Sequence, residues 1–201
     1  MIEIIIGSKN VNKIKEIKPF FNNQNVLINN LPEDFNYEVI EDGKTLLENA
    51  NKKALSYAKN LNKIVLSDDT GLFIKSINNE PGINSHRYSN QGDLQNNLLV
   101  LEKLKHKKNR KAYFKTVISL AFPDGKILNY HAIFKGFIIN NEKELTGFGY
   151  DPIFIPRGET KTLKELGESY KLKYSHRSKA LLKLVKNLEK IKKYYYKVYL
   201  K

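Results

Sequence analysis

Short runs of β-branched residues alternate along the chain with longer stretches in which apolar residues recur every three or four positions. The short runs predict strands at Ile2–Ile6, Val26–Ile28, Ile64–Leu66, Ala112–Phe122, Ile127–Ile139 and Ile153–Ile155. The longer stretches predict helices from Val11 to about Phe20, about Thr45–Leu61, Leu94–Leu104, about Thr162–Leu166 and about Ser178–Lys193. We therefore expect an α/β fold, a mixed β-sheet flanked by helices.

The turn Pro123-Asp124-Gly125 joins two of these strands into a long hairpin, because Pro, Asp and Gly favour tight turns. The hairpin covers about residues 112–139, and we expect it to build a second lobe. No Gly/Ser-rich or Pro-rich linker divides the chain, so residues 1–201 are expected to form a single domain.

The chain is strongly basic, with a formal net charge of +14. The last 41 residues hold 13 Lys and Arg against three Asp and Glu, so most of the excess lies there. A basic surface for a polyanionic partner is one interpretation. An AT-rich coding bias, which favours Lys, Asn, Ile and Tyr, is the other.

Cysteine is absent from the 201 residues, which excludes disulfides, thiolate catalysis, Cys-ligated zinc and iron–sulfur clusters. The longest apolar runs are a few residues long, so no membrane span is predicted. The first residues have the pattern of a strand and not of a basic leader peptide. We therefore expect a cytoplasmic protein.

The loop Gly7-Ser8-Lys9-Asn10 separates the first strand from the first helix. Backbone N–H groups at such a helix start can bind an anion, and Lys13 in the first turn would add a charge. The spacing is not that of a phosphate-binding Walker A loop. An ordinary turn capped by Ser or Asn explains the same residues, and spacing alone favours that explanation.

Acidic residues gather around the predicted strand Ile64–Leu66, which delivers Asp68 and Asp69 at its end; Glu41 and Glu48 precede it. Carboxylates beside a buried strand are costly without a cation or hydrogen bonds. Oxygen ligands suit Mg²⁺, whereas a solvated loop start is the alternative. Lys53 lies one helical turn after Asn49, so both side chains can face one cleft. The apolar face of that helix is predicted to be Leu47, Ala50, Ala54, Ala58 and Leu61.

Two later segments combine flexible backbone, aromatic rings and hydrogen-bond donors. Gly147-Phe148-Gly149-Tyr150-Asp151-Pro152 allows a flat ligand to approach the backbone and to stack. A tight hairpin turn with a core Phe explains the same residues, and the segment taken alone favours that explanation. Lys171 and Ser175-His176-Arg177 supply donors that suit a carbonyl edge or a phosphate. Ser175 as a helix cap is the alternative there.

Taken together and in this order, the segments resemble the inosine triphosphate pyrophosphatase family of non-canonical purine NTP pyrophosphatases, over residues 2 to about 188. The resemblance rests on Ser8–Lys13, Glu41–Ala50 with Lys53-Ala54, Ser67–Leu72, Pro81–Tyr88, Gly147–Phe154, and Ser175-His176-Arg177 with Ala180-Leu181. No single segment is decisive, but the ordered set is specific.

The resemblance implies hydrolysis of ITP, dITP and XTP to the monophosphate and pyrophosphate by an Mg²⁺-dependent homodimer. It implies an elongated α/β fold with the nucleotide in a cleft between two lobes. Glu41 and Asp69 are implied as metal ligands, with Asp69 also the general base. Implied contacts to the triphosphate are Ser8, Lys9, Asn10, Val11, Asn12, Lys13 and Lys53. Thr70 is implied to touch the substrate, and Phe148, Gly149, Tyr150, Asp151, Lys171, His176 and Arg177 are implied around the nucleoside and base.

The chain departs from the family pattern at three places. Glu142-Lys143-Glu144 replaces a Pro-Arg-Gly-like turn, His86 replaces a small residue, and Lys190–Lys201 is a basic extension beyond the match. A pyrophosphatase for other modified nucleotides is one alternative function. A nucleic-acid-binding module is the other, resting on the basic tail and Tyr194-Tyr195-Tyr196. Nucleic acid is not the expected partner, because that function leaves the strand-associated carboxylates unexplained.

Overall fold

The computed structural model describes residues 1–140 and 145–200, and these form an α/β fold as predicted. The strands are β1 (Ile2–Ile6), β2 (Val26–Asn30), β3 (Ile64–Ile74), β4 (Glu80–Gly82), β5 (Lys111–Ala121), β6 (Ile127–Ile138) and β7 (Phe154–Pro156). The helices are α1 (Val11–Ile17), α2 (Leu46–Leu61), α3 (Asp93–Lys103), α4 (Leu163–Tyr174), α5 (His176–Val185) and α6 (Leu188–Tyr199). None of the described helices is long and apolar enough to cross a bilayer.

The strands form a mixed sheet, which confirms the predicted fold class. Across the described residues its order is β2-β1-β3-β5-β6-β7, and β4 pairs with β3. β1 runs parallel to β2 and to β3, whereas β4 is antiparallel to β3 and β7 is antiparallel to β6. Because Ile6, the last residue of β1, pairs with Leu66, the loop that follows β1 begins beside Ser67, Asp68 and Asp69 of β3.

Gly7 allows that close approach after β1. Its N–H donates to the Leu66 carbonyl at 2.7 Å, and its carbonyl accepts from the Ser67 hydroxyl at 3.3 Å. A Cβ atom at this position would lie 2.3 Å from Ser67 Oγ, so glycine is required by space here.

The prediction that the third strand ends at Leu66 is wrong. β3 continues to Ile74, so Asp68 and Asp69 lie inside the strand and not after it. The extension has an antiparallel partner in β4, where Leu72 pairs with Gly82 and Ile74 with Glu80. This pairing joins segments that the sequence pattern treated as loop, which is why a local reading missed it.

The buried face of α2 differs from the prediction at its first turn. Thr45 caps the helix by accepting from the Glu48 N–H, and in the first turn Leu46 is buried whereas Leu47 is 43% exposed. Ala50, Ala54 and Ala58 are buried as predicted. Polar Asn49 and Lys53 share this buried face.

The predicted terminal helix Ser178–Lys193 is two helices, α5 and α6. Leu188 and Ile191 of α6 are buried, so the basic extension begins as packed structure. The predicted short helix near Thr162–Leu166 is the first part of α4, which continues to Tyr174 across a break at Gly167, where φ is +80°.

The chain divides into two compact units. The first consists of Met1–Asp69, Val117–His131 and the chain from Arg177 onward, and the second of Thr70–Thr116 and Ala132–His176. The hairpin β5–β6 has the predicted bounds to within a residue, and its turn belongs to the first unit while its outer ends belong to the second. An elongated shape with a nucleotide cleft between two lobes stays a prediction.

Each unit has an apolar core of its own. In the first unit Ile5, Val65 and Ala121 of the sheet pack with Ala54, Tyr57 and Ala58 of α2. In the second unit the core residues come from β3, α3, β5, β6 and β7 and include Leu72, Val100, Phe114, Phe134 and Phe154. These cores fix the strands on which the polar residues described next are carried.

Candidate functional site

The loop before α1 is held by its own side chains. Asn10 Oδ1 accepts from the N–H groups of Asn12 and Lys13 at 3.0 and 3.2 Å, and Ser8 Oγ accepts from the Asn10 N–H at 3.2 Å. Lys9 and Val11 are exposed. The capped-turn alternative is therefore present in the structure, and Ser8–Asn12 as substrate contacts stay a prediction.

Lys13 and Arg177 surround the carboxylate of Asp68 in the first unit. Lys13 Nζ lies 3.2 Å from Asp68 Oδ1, while Arg177 Nε and Nη2 donate to Asp68 Oδ2 at 3.2 and 3.0 Å. Arg177 Nη1 also donates to Glu16. Burial alone would raise the pKa of Asp68, but Lys13, Arg177 and Lys53 outweigh burial and hold it well below its usual range.

Arg177 thus has a different environment from the one implied for it. At least three of its donors contact Asp68 and Glu16, and its side chain is buried. These carboxylates raise the pKa of the guanidinium although burial opposes this, so it stays charged. Its contribution to base recognition stays a prediction, whereas its pairing with Asp68 was not predicted.

The second carboxylate, Asp69, has a contrasting environment. Asn49 Nδ2 donates to Asp69 Oδ2 at 3.2 Å. Burial and the nearby Glu41 raise the pKa of Asp69 to about 6, against the lowering effects of Lys13 and Lys53. Two neighbouring carboxylates therefore differ in basicity, which is the arrangement that separates a charged anchor from a proton acceptor.

Glu41 belongs to the same charged cluster, although it lies outside any helix or strand. Lys53 Nζ donates to Glu41 Oε1 at 2.9 Å. Burial would lower the pKa of Lys53, but Glu41 and Asp68 raise it, so the ammonium is retained. Asn49 Oδ1 accepts from the Gly43 N–H at 2.7 Å, which ties the loop after Glu41 to α2.

Glu41 and Asp69 are suited to a hard cation by their oxygen atoms. Among the described residues, no group of three or more His, Asp or Glu side chains is arranged to hold a metal ion. A pair of carboxylates fits Mg²⁺, which takes its other ligands from water and phosphate, better than it fits zinc, which prefers three or four protein ligands.

Three polar residues form a hydrogen-bonded chain in the second unit. The hydroxyls of Thr70 and Thr116 lie 2.6 Å apart, and the Thr116 hydroxyl lies 2.5 Å from Nδ1 of His176. The His176 ring stacks on Phe114 with 4.8 Å between centroids. The structure thereby brings together Thr70 and His176, both predicted site residues, through Thr116, which the sequence analysis missed.

The predicted aromatic segment is also held by side chains. Lys171 forms a buried ion pair with Asp151, and its Nζ lies 5.0 Å from the centre of the Phe148 ring. The Tyr150 hydroxyl donates to the Ser85 carbonyl at 2.7 Å. Four of the predicted nucleoside contacts, Phe148, Tyr150, Asp151 and Lys171, thus lie in one packed part of the second unit.

Gly149 is fixed at both its backbone polar atoms by α3. Asp93 Oδ2 accepts from its N–H at 2.7 Å, and Asn97 Nδ2 donates to its carbonyl at 3.0 Å. Asp93 and Asn97 lie four residues apart, so both reach the same side of α3. Neither residue was predicted from the sequence; Asn97 is buried on α3 together with Asn96, Val100 and Leu101.

Comparison with known proteins decides the family. The family model of the Ham1 family matches residues 4–187. The chain belongs to the Ham1 family. A protein of Acholeplasma laidlawii named dITP/XTP pyrophosphatase is 45% identical over 183 residues, 90% of each chain. The one of Bacillus subtilis with the same name is 39% identical over 94% of this chain and 98% of its own.

Solved Ham1 structures have the same fold. The Ham1 protein of Staphylococcus aureus matches with a TM-score of 0.84 and 37% identity over 94% of this chain and 99% of its own. The HAM1 protein of Coxiella burnetii matches with a TM-score of 0.86 and 33% identity, over 94% and 100%. The resemblance noted in the sequence is therefore confirmed.

The Ham1 match bears on one of the three departures, the basic extension. It ends at residue 187, so α6 and the basic extension lie beyond it. Glu142-Lys143-Glu144 lies outside the described residues. His86 is exposed, and its backbone carbonyl accepts from Asn96 Nδ2 at 3.2 Å, which a small residue would also allow.

Proposed function

We propose that this chain hydrolyses non-canonical purine nucleoside triphosphates, ITP, dITP and XTP, to the monophosphate and pyrophosphate. The name dITP/XTP pyrophosphatase is carried by relatives that it matches over nine-tenths or more of their length. The observation that carries the proposal is the cluster of Lys13, Lys53, Glu41, Asp68 and Asp69. In this cluster the half-buried Lys13 and the buried Lys53 lie beside two carboxylates of different basicity, Asp68 and Asp69.

Hydrolysis of a triphosphate requires cations that neutralise its charge and one group that accepts a proton from water. A triphosphate carries about four negative charges, which repel an attacking water unless cations offset them. Lys53 supplies positive charge, and so does Lys13 through its ion pair with Asp68. Burial lowers the pKa of Lys13, and Asp68 opposes that effect. The water oxygen bonds to the α-phosphorus, the bond from that phosphorus to the α–β bridging oxygen breaks, and pyrophosphate leaves.

Asp69 is the residue we assign to orient that water and to accept its proton. Its raised pKa makes it a better base than an ordinary aspartate, and Asn49 holds its Oδ2. Asp68 has the opposite environment, so it serves as a fixed anion that holds Lys13 and Arg177. This division of roles follows from the charges around each carboxylate.

Mg²⁺ is the proposed cofactor, with Glu41 and Asp69 as its protein ligands. When bound, such an ion withdraws charge from phosphate oxygens. The chain's own part is to keep two oxygen ligands near Lys53 while leaving the other coordination positions to water and phosphate. The raised pKa of Asp69 beside Glu41 supports this assignment, because a cation would relieve that repulsion.

Recognition of the base is proposed for Phe148–Asp151, Lys171 and His176. Lys171 can only donate hydrogen bonds, and hypoxanthine and xanthine present an acceptor oxygen at C6, where adenine presents a donor. ATP should therefore be a poor substrate. Exclusion of GTP, which keeps the 6-oxo group, needs a separate cause such as steric exclusion of its 2-amino group.

A homodimer and a cytoplasmic location are part of the same proposal. The homodimer rests on the resemblance alone, and the cytoplasmic location rests on the sequence pattern described above. The nucleic-acid alternative is not favoured. Of the three tyrosines on which it rests, Tyr194 is engaged within the first unit, since its hydroxyl donates to Asp124.

A pyrophosphate-release screen tests the proposal. The purified chain is given ITP, dITP, XTP, GTP, ATP and a modified pyrimidine triphosphate, each with Mg²⁺ and with excess chelator. We expect ITP, dITP and XTP to be cleaved at least about 10³-fold more efficiently than ATP, since a polar site of this kind can reject a mismatched base by roughly 10⁴-fold. Release of pyrophosphate from ATP or the pyrimidine at an equal kcat/KM would overturn it.

A further inference from the structure

Thr116 lies at the centre of the hydrogen-bonded chain in the second unit, yet no function has been assigned to it so far. It is on β5, it is fully buried, and its hydroxyl meets Thr70 of β3 on one side and His176 of α5 on the other. A buried hydroxyl is costly unless it is hydrogen-bonded, so both contacts are part of a satisfied network.

The Thr116 hydroxyl carries a single proton, so it can donate to only one of its two neighbours, Thr70 and His176. If Thr116 donates to His176 Nδ1, it accepts from the Thr70 hydroxyl, and the neutral ring carries its proton on Nε2. If His176 Nδ1 donates to Thr116 instead, Thr116 donates to Thr70 and Nε2 becomes an acceptor. The direction of these two hydrogen bonds therefore decides whether Nε2 of His176 is a donor or an acceptor.

Packing against Phe114 fixes the plane of the His176 ring in either tautomer. His176 is 4% exposed, and its ring lies against Phe114 at an interplanar angle of 26°. Phe114 and Thr116 are alternate residues of β5, so their side chains point to the same face of the strand. One strand thus supplies both the surface on which His176 lies and the hydroxyl that it contacts.

We propose that Thr116 is a positioning residue that donates to His176 Nδ1 and keeps the ring proton on Nε2, which gives His176 the donor that a 6-oxo purine requires. The inference rests on the proposed function, because only a substrate with an acceptor oxygen makes that tautomer the useful one. Thr116 itself needs no contact with the nucleotide.

The first test is the tautomer of His176, which does not depend on activity. The chain has four histidines, so a ¹⁵N NMR spectrum is simple, and loss of one signal in His176→Gln assigns the ring. We expect a protonated Nε2 and an unprotonated Nδ1 in the neutral ring of the wild type. A protonated Nδ1 with an unprotonated Nε2 would overturn the proposal, whatever the enzyme's specificity.

The second test removes the hydroxyl while keeping the volume. In Thr116→Val we expect a mixture of tautomers and a fall of roughly tenfold in the ratio of kcat/KM for ITP to that for ATP, the size expected for one lost buried hydrogen bond. Thr116→Ser keeps the hydroxyl and should restore both the tautomer and the ratio. A folded Thr116→Val with the wild-type tautomer and ratio would overturn the proposal.

The two tests separate the inference from the proposed function. If the wild type cleaves ATP as well as ITP, the proposed function fails, while the NMR spectrum still decides the role of Thr116. If Thr116→Val does not fold, the wild-type tautomer together with the Thr116→Ser spectrum decides it, because Ser must show the same protonated nitrogen.

Discussion

Arg177 and Asp68 lie 109 residues apart in sequence and are joined by two hydrogen bonds in the first unit. Both side chains are almost completely buried, and Lys13 and Glu16 complete the cluster around them. A buried charge pair of this kind contributes little net stability when intact. Removing one partner is strongly destabilising, because it leaves the other charge buried without compensation.

Replacing Arg177 should therefore act first on stability. In Arg177→Met we expect the free energy of unfolding to fall by about 3–5 kcal/mol, because Asp68 and Glu16 lose their partner in a buried site. Urea titration followed by circular dichroism measures this. Arg157→Met, at an exposed position, is the matched control and should change stability by about 0.5 kcal/mol or less.

The same variant separates two roles of Arg177. A role in base recognition alone would leave the free energy of unfolding unchanged and would narrow the ITP-to-ATP ratio of kcat/KM. That result would contradict the structural role derived from the Asp68 and Glu16 contacts.

Replacing Asp69 should abolish most of the hydrolysis without unfolding the protein. Asp69→Asn keeps the shape but removes the charge and the basicity, and we expect kcat for ITP to fall on the order of 10²-fold or more, as for a positioned acid–base group. Asp34→Asn, which alters an exposed carboxylate, should leave kcat unchanged. Near-wild-type turnover by folded Asp69→Asn would exclude Asp69 as the base.

The stability of the wild type should depend on pH through Asp69. Its pKa is raised from 3.8 to about 6 in the folded chain, mainly by burial. An acid with a raised pKa contributes stability below its unfolded pKa and loses that contribution as the pH rises through the folded value. Relative to Asp69→Asn, the wild type should therefore lose stability between about pH 4 and pH 7.

Unfolding by urea at pH 4.5 and pH 7.5, without divalent metal, measures that difference. Adding Mg²⁺ at pH 7.5 should raise the free energy of unfolding of the wild type and leave Asp69→Asn nearly unchanged, because the ion offsets the charge that costs stability. An identical difference between the two proteins at both pH values would show that Asp69 titrates normally.

The two hydrogen bonds that Asp93 and Asn97 make with the Gly149 backbone should affect substrate binding more than turnover. In Asp93→Ala the Gly149 N–H loses its acceptor, and we expect KM for ITP to rise by roughly tenfold, the effect of about one hydrogen bond, with kcat within a few-fold. Glu102→Ala, exposed on the same helix, is the control. An unchanged KM in Asp93→Ala would mean that the Phe148–Tyr150 segment does not contact substrate.

The basic tail should serve stability and not catalysis. Truncation after Leu188 removes buried Ile191 and the contacts of Tyr194 with Phe122 and Asp124, so we expect a loss of at least about 2 kcal/mol in unfolding free energy. The kcat/KM for ITP should stay within a few-fold. Removing Leu200 and Lys201 alone is the control, because Leu200 is 63% exposed.

A large loss of kcat/KM in a truncated chain that is still folded at the assay temperature would place the tail in the active assembly. Sedimentation of both truncated chains beside the wild type would then show whether that loss accompanies a change of oligomeric state.

The family and most elements follow from local patterns. The runs that form β1, β5 and β6 have strand periodicity in their own residues, and the turn Pro123-Asp124-Gly125 lies where predicted. The ordered motifs around Asp69, Phe148 and His176 identify the Ham1 family. Each motif is a short run of consecutive residues, so it can be recognised without knowing the tertiary contacts. Such information is local, so a single sequence contains it.

Contacts between distant segments were decided only by the tertiary structure. The extension of β3 is paired with β4, the carboxylate of Asp68 with Arg177, and Nδ1 of His176 with the Thr116 hydroxyl. None of these pairs can be recognised from a periodic pattern in the sequence, because each residue type also occurs at ordinary core or surface positions without such a partner. The sequence by itself determined the element types and the family, whereas packing decided the burial that raises the pKa of Asp69 and the neighbouring cations that keep Asp68 an anion.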